Sequence, residues 1–202
     1  MLTCYTIQLI HRAKLIPYRE PNRQELTVLR RSFDTWGLFD YVRDKAILIR
    51  EKQLKSLKAK EVYLTTRENI AAISDGTTQI HIGILVGHLK RRSFLPSMAG
   101  ADLIARKGNN YPFAMVNQTA EALVLYGRDI MHGSLINYEN LNRNNTRLII
   151  LNENRIAIGI GITTVAIGRN IHHSNKRIVI KTIADAGHYL RNERWMDPSD
   201  YC

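Results

Sequence analysis

Cysteine is nearly absent from this sequence: Cys4 and Cys202 are the only two, one near each extreme of a 202-residue chain. No disulfide framework and no Cys-x-x-Cys metal site can be built from such a pair, and a reducing compartment is expected, the cytoplasm or, in a eukaryote, the nucleolus. Long apolar runs are missing too. The greasiest stretch, Ala157–Gly168, is broken by glycines and falls short of the roughly 20 residues that a membrane-spanning helix needs. The opening MLTCYTIQLI has its cations after the apolar part, at Arg12 and Lys14, which is the reverse of a secretory signal peptide, so export is not expected. No long segment is dominated by Gly, Pro, Ser or one charge, and a chain folded throughout, apart from its ends, follows from ordinary globular composition.

Acid is the other shortage. Asp and Glu number 18 against 29 Lys and Arg, a formal charge of +11 and a pI of about 9.9. A surplus of this size favours a polyanionic partner, because each neutralised phosphate of a nucleic acid releases condensed counterions, over a chain that is basic only for solubility. The surplus is uneven: residues 1–118 hold 19 cations and 10 acids, residues 119–202 hold 10 and 8. Catalytic signatures are also lacking, with no P-loop, no GxSxG and no HExxH. The string GIGITTVAIG from Gly159 is not a nucleotide fingerprint, since β-branched neighbours favour a continuing strand over a turn into a helix N-terminus.

What is present reads as two textures. In PNRQELTVLRRSFDTWG, Leu26, Leu29, Phe33 and Trp36 lie on one helical face, Asn22 and Glu25 form a capping box, and Gly37 is placed to end the helix. KAILIRE (45–51) and EVYLTT (61–66) read as short strands joined by a solvated, lysine-marked connection, and QIHIGILVGHL (79–89) as an alternating strand introduced by Asp75-Gly76. SMAGADLIARKG (97–108) reads as a helix ending at Gly108, before the linker candidate KGNNYP. Beyond it FAMVN, RLIIL, RIAIGIGITTVAIG and RIVIKTI are strand-rich, with one short helix, TAEALVLYG, and an Asn-rich loop, NLNRNNTR. The expected class is α+β, a mixed α/β first domain and a second domain like a small barrel.

Tyr126-Gly127 ends the short helix, which places Arg128 on a surface ledge where it can meet a phosphate or pair with an acid such as Asp129; the residues alone do not choose. In RIVIKTI, strict alternation puts Arg177, Val179 and Lys181 on one face and Ile178 and Ile180 on the other, inward one. His172 and His173 have no third ligand at metal spacing, so hydrogen bonding or stacking on a base is expected of them rather than zinc. His81 and His88 read as packing or surface residues, and Lys90-Arg91-Arg92 as the sharpest charge run, solvated or extending a nucleic-acid surface.

AEALVLYGRDIMHGSL, then RLIILNENRIAIGIGITT, then RIVIKTIADAGHYLRNE resemble, in that order, the PUA domain of the Nip-seven family of large-ribosomal-subunit biogenesis factors in its archaeal form. The Asp-x-Gly-x-Tyr-Leu-Arg signature is met at Asp185, Gly187, Tyr189, Leu190 and Arg191, and REPNRQEL from Arg19 is similar to the family's opening. The resemblance implies an N-terminal α/β (pre-PUA) domain over 19–111 and a C-terminal PUA pseudo-β-barrel over 112–194, with an extension at 1–18 and a tail at 195–202. It further implies RNA contacts from basic residues of the last strands, here Arg169, Lys176, Arg177 and Lys181, with Arg128 and Arg191 as further candidates. Asp185 reads as a turn acid supporting the closing segment, with Arg191 as a candidate partner. The implied function is non-enzymatic RNA binding in large-subunit assembly and pre-rRNA maturation. The chain would act as a monomer without cofactor or metal, partnered by uridine-rich single-stranded or loop RNA and by other assembly factors, with no membrane. An RNA-modification enzyme subunit and a translation-associated PUA protein are the alternative readings.

Overall fold

The computed structural model describes residues 18–54, 57–73, 82–90, 92–168 and 174–188. The chain divides into two compact units, Met1–Leu103 and Ile104–Cys202.

The first unit is a helix on an antiparallel sheet. The helix α1 (Arg23–Thr35) starts where the side chain of Asn22 accepts from the amide of Glu25 while the Glu25 carboxylate accepts from the amide of Asn22, a complete capping box. It stops at Gly37, whose φ of +63° lets Leu38 N–H reach Phe33 O at 2.7 Å and Gly37 N–H reach Asp34 O at 3.0 Å. Leu29, Phe33 and Trp36 are buried, as the spacing requires. A short helix, α2 (Phe39–Val42), follows, then β2 (Ala46–Leu54), β3 (Leu57–Thr65), α3 (Arg67–Ile73), β4 (Ile84–Lys90), β5 (Ser93–Pro96) and α4 (Met98–Lys107). With β1 (Tyr18–Arg19) the strands pair in the order β1-β2-β3-β4-β5.

Two expectations change here. The lysine-marked segment is not all connection: β2 runs on to Leu54 and β3 starts at Leu57, paired in register from Ala46↔Thr65 to Leu54↔Leu57. Backbone pairing across the hairpin outweighs the local lysine content. The third strand begins at Ile84, after Gly83 at φ +81°, rather than at residue 79; Asp75-Gly76 and His81 lie outside the described residues.

Charge stitches this unit together. Glu25 is buried, and its carboxylate takes two hydrogen bonds from Arg19 at 2.8 and 2.9 Å and one from Lys60 at 2.7 Å. Arg19 also meets Glu51. Next to this hub, buried Glu61 pairs with Arg50 at 2.7 Å and accepts from the Tyr63 hydroxyl at 3.0 Å. The Arg50 guanidinium lies 5.3 Å from the centre of the Tyr63 ring and 5.7 Å from that of Tyr18. Arg19, then Lys60 and the Asn22 amide, hold the Glu25 carboxyl down at about 2 against desolvation. Burial, reinforced by the Glu61 carboxylate, pushes the Tyr63 phenol up.

The second unit contains β6 (Phe113–Val116), α5 (Gln118–Leu125), β7 (Ile130–Met131), a 3-10 turn (His132–Ser134), β8 (Leu135–Glu139), β9 (Arg147–Leu151), β10 (Ala157–Thr163) and β11 (Ile178–Asp185). They form one sheet in the order β7-β11-β10-β9-β6-β8, antiparallel except for β6 with β9. Val116, Val124, Ile130, Leu148, Ile150, Ile158, Val179 and Ile180 fill its core. Gly159 and Gly161 are strand residues, and a Cβ on Gly161 would stand 2.6 Å from Ile180 Cγ2 and 3.1 Å from Lys181 O. Their role is close approach of β11 to β10.

Two outcomes are expected. Because Glu25 is ionised in the fold at a pH where the unfolded chain has already taken up a proton, its contribution is present above about pH 4.5 and lost as pH falls toward 2. Glu25→Gln should lower stability at pH 7 by on the order of 3 kcal/mol and flatten the acid limb of a urea-midpoint against pH series. Gly161→Val should cost about 2 kcal/mol in the same assay by driving β11 off β10.

Candidate nucleic-acid interface

The candidate surface is built on β11 and on two loops that dock against it. A helix ending with a glycine at positive φ makes the first loop: Gly127 (φ +73°) donates to Val124 O at 2.8 Å and Arg128 to Leu123 O at 3.0 Å, which closes α5 and turns the chain outward. The loop is then tied to β11 at Thr182. The Thr182 hydroxyl donates to Arg128 O at 2.8 Å, and the Thr182 amide donates to Asp129 Oδ1 at 3.1 Å. Asp129 is therefore used on the strand, and among the described residues neither it nor any other acid forms an ion pair with Arg128. The Arg-Asp pair of the sequence is thus a clip beside a cation that no described acid pairs with. The second loop follows β7, where His132 N–H reaches Arg177 O at 2.9 Å and Gly133 N–H reaches Asn175 O at 3.0 Å.

β11 does not alternate as expected. Against β7 it pairs Ile178↔Met131 and Ile180↔Ile130, which leaves Val179 as an extra residue; against β10 it pairs Thr182↔Gly161 and Ala184↔Ile160, which leaves Ile183 as another. Each is a β-bulge that resets the side-chain period. Val179 and Ile180 are consequently both fully buried, while Ile178 and Ile183 are each 44% exposed. The expectation that Val179 shares the cations' face and that Ile178 points inward is overturned for this reason. Arg177 and Lys181 do stand exposed, as does Lys176 in the turn before the strand, and none forms an ion pair with a described residue.

The bulges turn Ile178 and Ile183 outward on the strand that carries Lys181. Ile178 is the cross-strand neighbour of Met131, which is 46% exposed, and Tyr126, at the end of α5, is 72% exposed. Cations for phosphates and apolar or aromatic faces for unstacked bases are the two components of a single-strand binding surface. Met131, Ile178, Ile183 and Tyr126 were missed in the sequence. Strict alternation places Ile178 inward with Ile180, so the pattern gives no signal for it; the bulge at Val179, imposed by pairing with β7, turns it out.

Arg128, Lys176, Arg177 and Lys181 thus belong to β11 or to the segments hydrogen-bonded to it and leading into it. Arg169 and Arg191 lie outside the described residues, as do His172 and His173. Asp185 is buried at the end of β11, opposite Gly159.

Comparison with known proteins bears on the strands just described. Over 184 residues the chain is 29% identical to a UPF0113 protein of Archaeoglobus fulgidus, an alignment covering 88% of this chain and 96% of that one. A hypothetical protein of Pyrococcus horikoshii superposes over 86% of this chain and 96% of its own with a TM-score of 0.60 at 11% identity. A conserved PUA domain protein of Thermoplasma acidophilum does so over 86% and 96%, with a TM-score of 0.60 at 14% identity. Residues 113–194 match the model of the UPF0113 PUA domain, so the curled sheet that carries the candidate interface is a PUA-domain fold.

Proposed function

We propose that this chain is a non-enzymatic RNA-binding protein that holds single-stranded or loop RNA along β11 of its PUA domain. The observation that carries the reading is the set of four exposed cations, Arg128, Lys176, Arg177 and Lys181, unpaired with any described acid and interleaved with exposed Ile178 and Met131. Guanidinium and ammonium groups neutralise phosphates and set the register of the strand, while the aliphatic and aromatic groups receive splayed bases. The match of residues 113–194 to a PUA domain supports the same assignment, PUA domains being RNA-binding modules. Assembly of the large ribosomal subunit is the proposed setting, in the cytoplasm and as a monomer among other assembly factors. That part rests on the ordered sequence resemblance that ends in the Asp185–Arg191 signature.

A labelled 24-nucleotide oligouridylate, titrated over a series of salt concentrations, tests the contact. Arg177→Ala with Lys181→Ala should lower the magnitude of the slope of log K against log salt by about 1.4, two single-strand phosphates lost, with the melting temperature unchanged. An unchanged slope would place the RNA on another face. In cells, co-sedimentation with precursor subunits and absence from polysomes is the expected distribution.

A further inference from the structure

The first unit carries more of the positive charge than the second, and its acids are placed so that they do not cancel it evenly. Glu25, Glu51 and Glu61 are spent on Arg19, Lys60 and Arg50 around the capping box. The remaining exposed cations of α1 and of the β4–β5 turn have no ion-pair partner among the described residues. Two of them converge. Val28, Arg31, Ser32 and Thr35, at the i, i+3, i+4, i+7 spacing of one helical side, line an open cleft of about 310 Å³ with Arg92, which comes from the turn joining β4 to β5.

This convergence is held by packing. Phe94 of β5 meets Phe33 of α1 edge-on, with ring centres 5.6 Å apart, so the hairpin that carries Arg92 is fixed against the helix that carries Arg31. Among the described residues, no acid lines the cleft. Asp34, the acid nearest to Arg31 along the helix, forms no ion pair with it. The hydroxyls of Ser32 and Thr35 already donate to Val28 O at 2.8 Å and Arg31 O at 2.9 Å, which leaves anion recognition to the two guanidiniums. An arginine near a helix C-terminus also offsets the macrodipole, but that role needs no second arginine arriving from another element. Two planar forks facing one cleft suit phosphate oxygens, which accept bidentate hydrogen bonds.

We propose that the Arg31–Arg92 cleft is a second phosphodiester-binding site, through which the first unit holds an RNA strand. The site rests on the RNA-binding reading of the chain and extends it to a surface with no strand or loop in common with β11. An acidic protein segment is the competing occupant, and the apolar lining among the described residues, half-buried Val28 alone, offers such a segment no pocket for an anchor and argues for the polynucleotide.

The test uses the full chain and the same 24-nucleotide oligouridylate, with four variants checked for unchanged melting temperature. Arg31→Ala with Arg92→Ala should lower the salt-slope magnitude by about 1.4, and combining it with Arg177→Ala and Lys181→Ala should lower it by about 2.8. The control, Arg43→Ala with Arg67→Ala, removes two exposed cations outside the cleft and should leave the slope as it was. If only the β11 pair matters, the cleft does not hold RNA and this proposal fails while the PUA reading stands. A change seen only with the cleft pair would sink the PUA contact and keep this one. An equal drop in the control would reduce the effect to net charge and overturn the site.

Discussion

The organisation of the PUA surface depends on two surplus residues in one strand. Without Val179 and Ile183, β11 would alternate strictly and would divide its side chains into a purely inward and a purely outward row. With them, two adjacent aliphatics go into the core and two other isoleucines come out among the cations. The bulges are in turn set by their neighbours: a two-residue β7 on one side and, on the other, Gly161, where the absence of a side chain lets Ile180 press onto β10. Core packing and the chemistry of the outer surface are therefore decided at the same few positions.

In both units, carboxylates are spent inside the fold beside cations that stay exposed. In the first, Glu25 and Glu61 are buried, and the hub at Glu25 joins β1, α1 and β3 through Arg19, the Asn22 amide and Lys60. A buried carboxylate with four donors is well satisfied, whereas removal of any partner leaves an ion without compensation. Burying Glu25 leaves Asp34 as the exposed acid of α1 beside exposed Arg23, Arg30 and Arg31, so the outer side of that helix carries cations in excess. In the second unit, Asp129 does the same on a smaller scale by spending its carboxylate on a backbone amide beside Arg128.

What was legible in the sequence was whatever a few consecutive residues decide. The start of α1 is written in Asn22 and Glu25 and its end in Gly37; the end of α5 is written in Gly127; each is a short-range hydrogen-bond pattern that needs no distant partner. The continuous β2–β3 hairpin was not legible, because its outer half is strand only through pairing with the other arm. The same holds for the faces of β11, whose register is imposed by β7 and β10. Glu25 shows both cases at once. Its capping role is visible three residues from Asn22, and its bond to Lys60 joins positions 35 apart in the chain. The cations of the interface were readable by type, and their apolar companions were hidden by the bulges.

The clip at Thr182 has one more consequence. An exposed outer strand offers a row of amides and carbonyls that invites a foreign strand to zip alongside, and β7 covers only the first residues of β11. Asp129 occupies the next amide with a side chain, and the Arg128 carbonyl is turned onto the threonine hydroxyl. Backbone-to-backbone annexation is thereby blocked at that point, and a visitor must be recognised by what projects from the sheet rather than by extending it.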